Sequence, residues 1–264
     1  MFKTRLISGI VLVALALLTI ITGGWVLYVT VLALSLIGAS ELYKVMGVRR
    51  EKGGFTALEL AGYIGICLYY ASLMLADGSY ALGALMLSLI LIMCVYVFGY
   101  PAFHANQVMA AFFGIVYVAV MLSCVYQTRM LDGGAYHVWL IFLCSWGCDT
   151  CAYCVGVLFG KHKMAPVLSP KKSIEGAVGG VVGAILLGLI YALATGGPAS
   201  VYMIICGVGA LISMVGDLAA SAIKRNMGIK DYGKLIPGHG GVLDRFDSVI
   251  FTAPVIFYLS SILI

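Results

Sequence analysis

The sequence predicts an all-α, polytopic integral membrane protein with about nine transmembrane helices, its N-terminus in the cytoplasm and its C-terminus outside. Three observations support this prediction: the composition, the length of the apolar runs and the placement of positive charge. Of the 264 residues, 62% are hydrophobic and only 10% are charged, and the mean hydropathy is +1.08. Soluble domains typically contain about 45–50% apolar and about 25% charged residues. The composition therefore excludes a soluble domain and indicates that lipid is the solvent.

Nine apolar runs approach the roughly 20 residues that a helix needs to cross the hydrocarbon core. They occupy residues 5–22, 24–41, 57–76, 80–99, 106–127, 136–159, 176–195, 200–220 and 246–264. Turn-forming residues separate them, as at Asp77-Gly78. Lys3 and Arg5 precede the first run as in a secretory signal, but no small-residue cleavage site follows, so we expect a retained span.

The basic residues indicate the orientation of these spans. With the N-terminus in the cytoplasm, every Lys and Arg except Arg129 falls on the cytoplasmic side, as the positive-inside bias requires. A missed or additional helix in the middle of the chain would scramble that pattern. Two cytoplasmic loops are long, at about 160–175 and about 221–245, and they hold most of the charge of the second half.

We predict two regions along the chain. Residues 1–130 form an N-terminal transmembrane scaffold of about five helices, with no acidic residue in mid-span and little polar chemistry. Residues 131–264 form a C-terminal transmembrane catalytic region of about four helices with the two cytoplasmic loops. The eight cysteines lie mostly inside apolar runs, where thiols act as small hydrophobic groups rather than as a disulfide framework.

The longest organised polar stretch begins in the eighth span. Asp217, Ser221, Lys224 and Arg225 have the spacing that places side chains on one face of a helix, which we expect Gly228 to end. A solvated loop that merely follows the positive-inside bias is the alternative. A carboxylate such as Asp217 near the end of an apolar span is costly, and it is functional by default.

The same stretch continues through a glycine-rich loop into the last span. Residues 237–241 read Pro-Gly-His-Gly-Gly, a backbone that can approach a ligand closely and whose N–H groups can line an anion site. Asp244 and Asp247 follow at i and i+3 on one helix face. Carboxylates beside cations and glycines are what a nucleotide–magnesium site needs, because Mg²⁺ binds oxygen and keeps water and phosphate as its other ligands.

A second polar constellation precedes the seventh span. Lys171 and Lys172 can neutralise a triphosphate, and Ser173 is predicted to cap a helix whose positive end points at phosphate. The alternative is a lysine anchor at the lipid headgroups. Asp149, one turn before Tyr153 in the sixth span, either lines a polar cavity with Asp217 or serves as a structural hydrogen-bond partner.

Two patterns nearby are predicted to be structural. Cys148-x-x-Cys151-x-x-Cys154 lies within an apolar helix, where the three thiols cannot converge on a metal as they would from a loop. The glycines at 176, 179, 180 and 183 have the small-xxx-small spacing of closely packed helices.

The stretch from Ser221 to Asp247 resembles, position by position, the motif of the phosphatidate cytidylyltransferase (CDP-diacylglycerol synthase) family. The residues that match are Ser221, Lys224, Arg225, Lys230, Asp231, His239, Gly240, Gly241, Asp244, Arg245 and Asp247. Ser-Pro-Lys-Lys-Ser-Ile-Glu-Gly at 169–176 and Asp-Thr-Cys-Ala-Tyr at 149–153 are similar to two further elements of the family, with Ser173 where Thr is common.

The resemblance implies an all-helical enzyme of the inner membrane that transfers CMP from CTP to phosphatidic acid at the cytoplasmic face. It implies a homodimer, an Mg²⁺ cofactor with K⁺ as a candidate second cation, and no nucleic-acid partner. The metal ligands that it implies are Asp217, Asp244 and Asp247. The catalytic set that it implies is Asp217, Lys224, Arg225, His239, Asp244 and Asp247. The substrate- and phosphate-binding set is Lys171, Lys172, Ser173, Glu175, Ser221, Lys230, Asp231, Gly240, Gly241 and Arg245, and Asp149 and Tyr153 line the cavity.

Two other functions remain open at this point. A cytidylyltransferase or CTP-dependent kinase for another membrane lipid would keep the nucleotide site and change the acceptor. A secondary transporter would use Asp149 and Asp217 as ion-coupling carboxylates. The clustering of polar residues at one membrane face, without a visible inverted repeat, weighs against transport.

Overall fold

The computed structural model describes residues 2–49, 54–75, 78–238 and 240–264, with side chains from Gly9 onward. The predicted site residue His239 lies outside the described residues, as do Asp77 of a predicted turn and the basic residues Arg50 and Lys52.

Nine long helices form the described part of the chain. They are α1 (Phe2–Thr22), α2 (Gly24–Val45), α3 (Ala57–Leu75), α4 (Ala81–Phe98), α5 (Ala105–Met130), α6 (Gly134–Phe159), α7 (Ile174–Thr195), α8 (Ala199–Asn226) and α9 (Leu243–Leu263). Among the described residues, the eight helices α2–α9 are long and apolar enough to cross a membrane, and α1 contributes a shorter apolar segment, Gly9–Thr22. The predicted all-α polytopic fold is confirmed, whereas the sidedness of the termini stays a prediction.

Two of the helices contain a π-helical turn, which the sequence analysis did not predict. It covers Ile115–Val120 in α5 and Leu143–Gly147 in α6. A π turn inserts an extra residue into the helix and rotates the face that follows, and such turns frequently occur at functional sites. In α6 the turn comes directly before Cys148–Phe159, the segment that carries Asp149.

The connection between α6 and α7, which we predicted only as a long loop, contains a β-hairpin. β1 (Lys163–Ala165) pairs antiparallel with β2 (Ser169–Ser173), with Lys163 opposite Ser173. A proline and two lysines in β2 give little strand signal, and proline is tolerated only because a two-stranded ribbon has exposed edges. The hairpin leads directly into α7, where the Ser173 hydroxyl accepts the Gly176 N–H at 3.1 Å. The predicted helix cap at Ser173 is confirmed.

Close packing of α6 on α7 follows the predicted row of glycines. A Cβ on Gly179 would lie 2.5 Å from the Val155 side chain, and one on Gly180 would lie 2.9 Å from both Ala152 Cβ and Cys148 Sγ. Small residues on α7 thus let the two helix backbones approach each other. The cysteines of this segment are free and contribute to the packing.

The end of α8 also agrees with the prediction. The helix stops at Asn226, Gly228 adopts a left-handed conformation with φ of 66°, and the Ile229 N–H donates to the Lys224 carbonyl at 2.9 Å. This is the usual way in which a glycine terminates a helix.

The chain divides into two compact units. The first comprises residues up to Gly9, Tyr28–Ser123 and Asp231–Asp244, and the second comprises Ile10–Leu27, Cys124–Lys230 and Arg245–Ile264. The functional division that we predicted near residue 130 stays a prediction.

Candidate active site

A cavity of about 610 Å³ opens in the second unit, between the C-terminal half of α6, the hairpin, the start of α7 and the C-terminal half of α8. Its lining mixes charged and apolar groups. The charged and polar members are Asp149, Tyr153, Lys163, Ser169, Lys171, Lys172, Ser173 and Asp217, and the others are Ala152, Gly156, Val157, Met164, Gly176, Ala177 and Met214. Residues that we singled out in three separate segments of the sequence therefore meet at one cavity.

Two of the lining residues form an ion pair. Lys172 Nζ contacts Asp217 Oδ2 directly, and the two side chains are 24% and 25% exposed. Lys172 comes from β2 and Asp217 from α8, so the pair depends on the hairpin packing beside that helix. The Lys172 Nζ atom itself is buried, so the exposed part of that side chain is its aliphatic stem.

Three carboxylates lie near one another around this pair. Asp149 interacts electrostatically with Asp217 and with Lys172. Asp247, on α9, interacts with Asp217, Asp149 and Lys224. The approach of α9 to α8 is close, because a Cβ on Gly216 would lie 2.8 Å from Phe251 Cβ. The carboxylates repel one another, and the lysines relieve part of that repulsion.

The donor chemistry of this cluster suits a hard divalent cation. Within the described ranges, no three His, Cys, Asp or Glu side chains are arranged as a ready-made metal site. Mg²⁺ in nucleotide sites commonly takes only one or two carboxylates, with water and substrate phosphates as its other ligands. Asp217 and Asp247, with Asp149 beside them, provide carboxylate oxygens of this kind.

The hairpin supplies the cations. Lys171 and Lys172 line the cavity as predicted, and Lys163 joins them from the opposite strand. The sequence analysis did not select Lys163, because only the β1–β2 pairing brings it to the cavity. The strand signal of this short lysine-rich segment was too weak to predict that pairing.

Glu175 has a different environment from its neighbours. Its carboxylate accepts the backbone N–H groups of Lys161 and His162 at 3.1 and 3.2 Å, and Oε1 lies 2.6 Å from His162 Nδ1. It holds the start of the hairpin and is absent from the described cavity lining. Its predicted contact with substrate stays a prediction.

The residues that we predicted to share one face of α8 differ in their exposure. Ser221 and Lys224 are buried, at 9% and 8% exposure, whereas Arg225 is exposed and donates to the Ile229 carbonyl at 3.0 Å. Arg225 therefore contributes to the helix end in this structure. Lys230, Asp231 and Arg245 are exposed as well, and their predicted contacts with substrate stay predictions.

The first unit contains the loop that carries the predicted glycine motif. Asp244 Oδ2 accepts the Tyr232 N–H at 2.8 Å and the Gly241 N–H at 2.9 Å. Gly240 adopts a φ of 87°, and its carbonyl accepts the Ile236 N–H at 2.9 Å. Asp244 thus organises the loop, and the N–H of Gly241 is used inside the protein. A metal-binding role for Asp244 and a phosphate-binding role for the two glycines stay predictions.

Glu41, which belongs to the same unit, was not predicted from the sequence. Its buried carboxylate accepts the N–H groups of Val242 and Leu243. A lone carboxylate near the end of the second apolar run was the available signal, because such a group is costly in a membrane protein. It was overlooked because no motif surrounds it.

Comparison with known proteins covers the whole chain. A family model described as "Cytidylyltransferase family" matches residues 3–263. A protein of Staphylococcus epidermidis named phosphatidate cytidylyltransferase is 31% identical over 262 residues, which is 96% of this chain and 97% of the relative. Proteins of the same name from Staphylococcus saprophyticus and Bacillus subtilis are 30% identical over 261 residues and 28% identical over 267 residues. These two alignments cover 96% and 97% of this chain, and 97% of each relative.

Proposed function

The chain belongs to the cytidylyltransferase family, a family of nucleotidyltransferases, and from this premise we propose that it transfers the CMP moiety of CTP to phosphatidic acid. The products are CDP-diacylglycerol and pyrophosphate. The observation that carries the proposal is the cavity in which Lys171 and Lys172 lie beside the carboxylates Asp149 and Asp217. The names of its relatives point to phosphatidate as the acceptor.

The chemistry that the cavity has to support is phosphoryl-group substitution. An oxygen of the phosphatidate monoester attacks the α-phosphorus of CTP and forms a new P–O bond. The bond from that phosphorus to the bridging oxygen breaks, and pyrophosphate leaves with the electron pair. The attacking monoester is already anionic near neutral pH, so no strong general base is needed. The main obstacle is repulsion between two polyanions, which fixed positive charge removes.

The residues of the cavity are suited to this task. Lys163, Lys171 and Lys172 approach from the hairpin and bind phosphate oxygens, while the start of α7 after Ser173 adds a positive helix end. Asp217 and Asp247 would hold Mg²⁺, with Asp149 beside them. When bound, Mg²⁺ neutralises phosphate charge and stabilises the leaving pyrophosphate. Lys172 keeps Asp217 in position through their ion pair.

We also propose on which side of the membrane the site lies and in which oligomeric state the protein is active. The site faces the cytoplasm at the inner membrane, so that CTP arrives from water while the acyl chains stay in the bilayer. The positive-inside bias of the long loops supports that orientation. The active form is a homodimer, as the resemblance implies.

The test is pyrophosphate release by the detergent-purified protein with CTP, phosphatidic acid and Mg²⁺, compared with Asp217→Asn. We expect release only when all three are present, and a fall of about 100-fold or more in the variant, because a lost positioning or charge-stabilising group costs that much. Asp132→Asn is the matched control. It makes the same charge change at an exposed turn before α6 and should keep wild-type turnover.

Other outcomes would change the proposal in distinct ways. Turnover with a different lipid phosphate, and none with phosphatidic acid, would keep the mechanism and replace the acceptor. Release of pyrophosphate without any lipid would indicate CTP hydrolysis. No CTP-dependent product with any lipid would contradict the proposed function.

A further inference from the structure

Glu41 caps the N-terminus of α9 from a different helix. This α2 residue is 9% exposed. Its Oε1 accepts the Val242 N–H at 3.0 Å, and its Oε2 accepts the Leu243 N–H at 2.9 Å. The first N–H groups of a helix have no partner within it. Gly241 and Val242, which precede the helix, have no side-chain oxygen to serve as a cap, so a distant carboxylate takes that role.

The loop before α9 is shaped to receive this carboxylate. A Cβ on Gly233 would overlap Glu41 Oε1, and one on Gly241 would overlap both Glu41 oxygens. The Glu41 carboxylate therefore lies directly against backbone at two points of the loop. Glycine at these two positions therefore has a local steric reason, the close approach of Glu41.

A second carboxylate completes the arrangement from the other side. Asp244 Oδ2 accepts the N–H groups of Tyr232 and Gly241. The loop at 231–242, of which 231–238 and 240–242 are described, is therefore held by two carboxylates through three of its backbone donors, and the Leu243 N–H of α9 is a fourth. Hydrogen bonds to charged acceptors are stronger than those to neutral acceptors.

We infer that Glu41 is a positioning residue for the reaction. It holds loop 231–242 and the start of α9 in the conformation that turnover requires, and it does not contact substrate. This inference rests on the proposed function, because the first two turns of α9 carry Asp244 and Asp247 and the loop carries the predicted glycine motif. A helix that begins at the wrong residue or angle displaces every group on it, and small displacements are costly in catalysis.

The test compares Glu41→Gln and Glu41→Ala with the matched control Glu59→Gln. Glutamine keeps one acceptor where the loop needs two, and alanine keeps none. Glu59 is fully buried in the same unit, but its carboxylate accepts the Tyr63 hydroxyl at 2.6 Å and lies 3.8 Å from Arg49 Nε. The measurements are kcat and KM for CTP, thermal unfolding, and amide hydrogen exchange of the segment 231–243 in the full-length protein.

We expect kcat per folded molecule to fall by about 10-fold in Glu41→Gln and about 100-fold in Glu41→Ala. KM for CTP should change less than kcat, because Glu41 itself does not contact the nucleotide. Hydrogen exchange should accelerate in 231–243 in both Glu41 variants and not in Glu59→Gln, which should keep wild-type kcat.

Two results would overturn the inference. One is unchanged exchange in 231–243 with unchanged kcat in Glu41→Ala. The other is a loss of activity that matches only the loss of folded protein, with the remaining folded fraction fully active, as a purely structural residue would show. Failure of the wild-type protein to release pyrophosphate would instead contradict the proposed function. Unchanged exchange would then still contradict a loop held by Glu41, independently of turnover.

Discussion

Lys172 and Asp217 show how burial determines what an ion pair can do. Each side chain is about one-quarter exposed, so water does not screen the pair as it screens a surface pair, yet a ligand can still enter. Asp149 and Asp247 add negative charge around Asp217. Lys172 therefore compensates these carboxylates, and under the proposed function it also offers a positive charge to phosphate.

Replacing Lys172 should distinguish its specific contacts from a general effect of positive charge on the hairpin. We expect Lys172→Met to lower kcat/KM for CTP by about 100-fold, because both phosphate binding and the placement of Asp217 are lost. Lys172→Arg should keep part of the activity, since it keeps the charge but changes its shape. Steady-state pyrophosphate release measures both variants.

Lys161→Met is the matched control for this prediction. Lys161 is exposed on the same connection, and it is not among the described cavity-lining residues. We expect its removal to leave kcat/KM close to wild type. Equal losses in the Lys161 and Lys172 variants would mean that the connection attracts CTP only through its net charge.

At the scale of the elements, the α6–α7 contact is what brings the two halves of the cavity together. Asp149 and Tyr153 lie on α6, while Ser173 and Gly176 lie at the start of α7. The glycines of α7 allow the helices to pack closely enough for both faces to line one cavity. The hairpin between them then adds its lysines without a long flexible connection.

Enlarging a glycine in this contact should destabilise the protein. We expect Gly180→Val to lower the free energy of unfolding by about 1–3 kcal/mol, because overpacking a tight contact forces neighbouring atoms to move. The neighbours are the Ala152 methyl group and the Cys148 sulfur, both 2.9 Å from a Cβ at this position. Thermal unfolding in detergent and pyrophosphate release would report the change.

Gly83→Val provides the comparison for Gly180→Val. Gly83 lies in α4, and a Cβ there meets no atom within 4 Å. We expect its replacement to leave the unfolding temperature unchanged or slightly raised. A similar loss of stability in both variants would contradict the packing explanation, because helix propensity alone favours valine over glycine.

For the whole molecule, the number of crossings decides on which side of the membrane the C-terminus lies. Among the described residues, the eight helices α2–α9 are long enough to span the membrane, and α1 has a shorter apolar segment, Gly9–Thr22. Nine crossings place the two termini on opposite sides, whereas eight would place them on the same side. The role of α1 therefore determines the topology.

A reporter fusion after Ile264 tests this point. We expect alkaline phosphatase to be active there and green fluorescent protein to remain dark, because the positive-inside bias with nine spans places this end outside. A fusion in the predicted cytoplasmic loop at Lys230 should show the opposite pattern. The reversed pattern at both positions would mean that α1 does not cross while the N-terminus stays in the cytoplasm, whereas fluorescence at both would mean that α9 does not cross.

Much of the fold was predictable because its causes are local in the sequence. Apolar composition and run length determine that segments become membrane helices, since unsatisfied backbone groups are not tolerated in hydrocarbon. The cap at Ser173 and the helix end at Gly228 depend on residues within one turn. The motif residues at the cavity, Lys172 and Asp217 among them, were likewise selected from patterns within short segments.

Only the tertiary structure decided which of these residues meet and what they contact. Two contacts join segments that are distant in the sequence: the ion pair of Lys172 with Asp217, and the capping of α9 by Glu41. Two others depend on the hairpin, which the sequence did not predict: Lys163 lines the cavity, and Glu175 accepts hydrogen bonds from the hairpin backbone. A sequence pattern indicates which polar and charged side chains are costly to leave without a partner. The partner of each group is determined by packing between elements, because hydrogen bonds and ion pairs form only where helices and strands bring complementary groups within about 3 Å of each other.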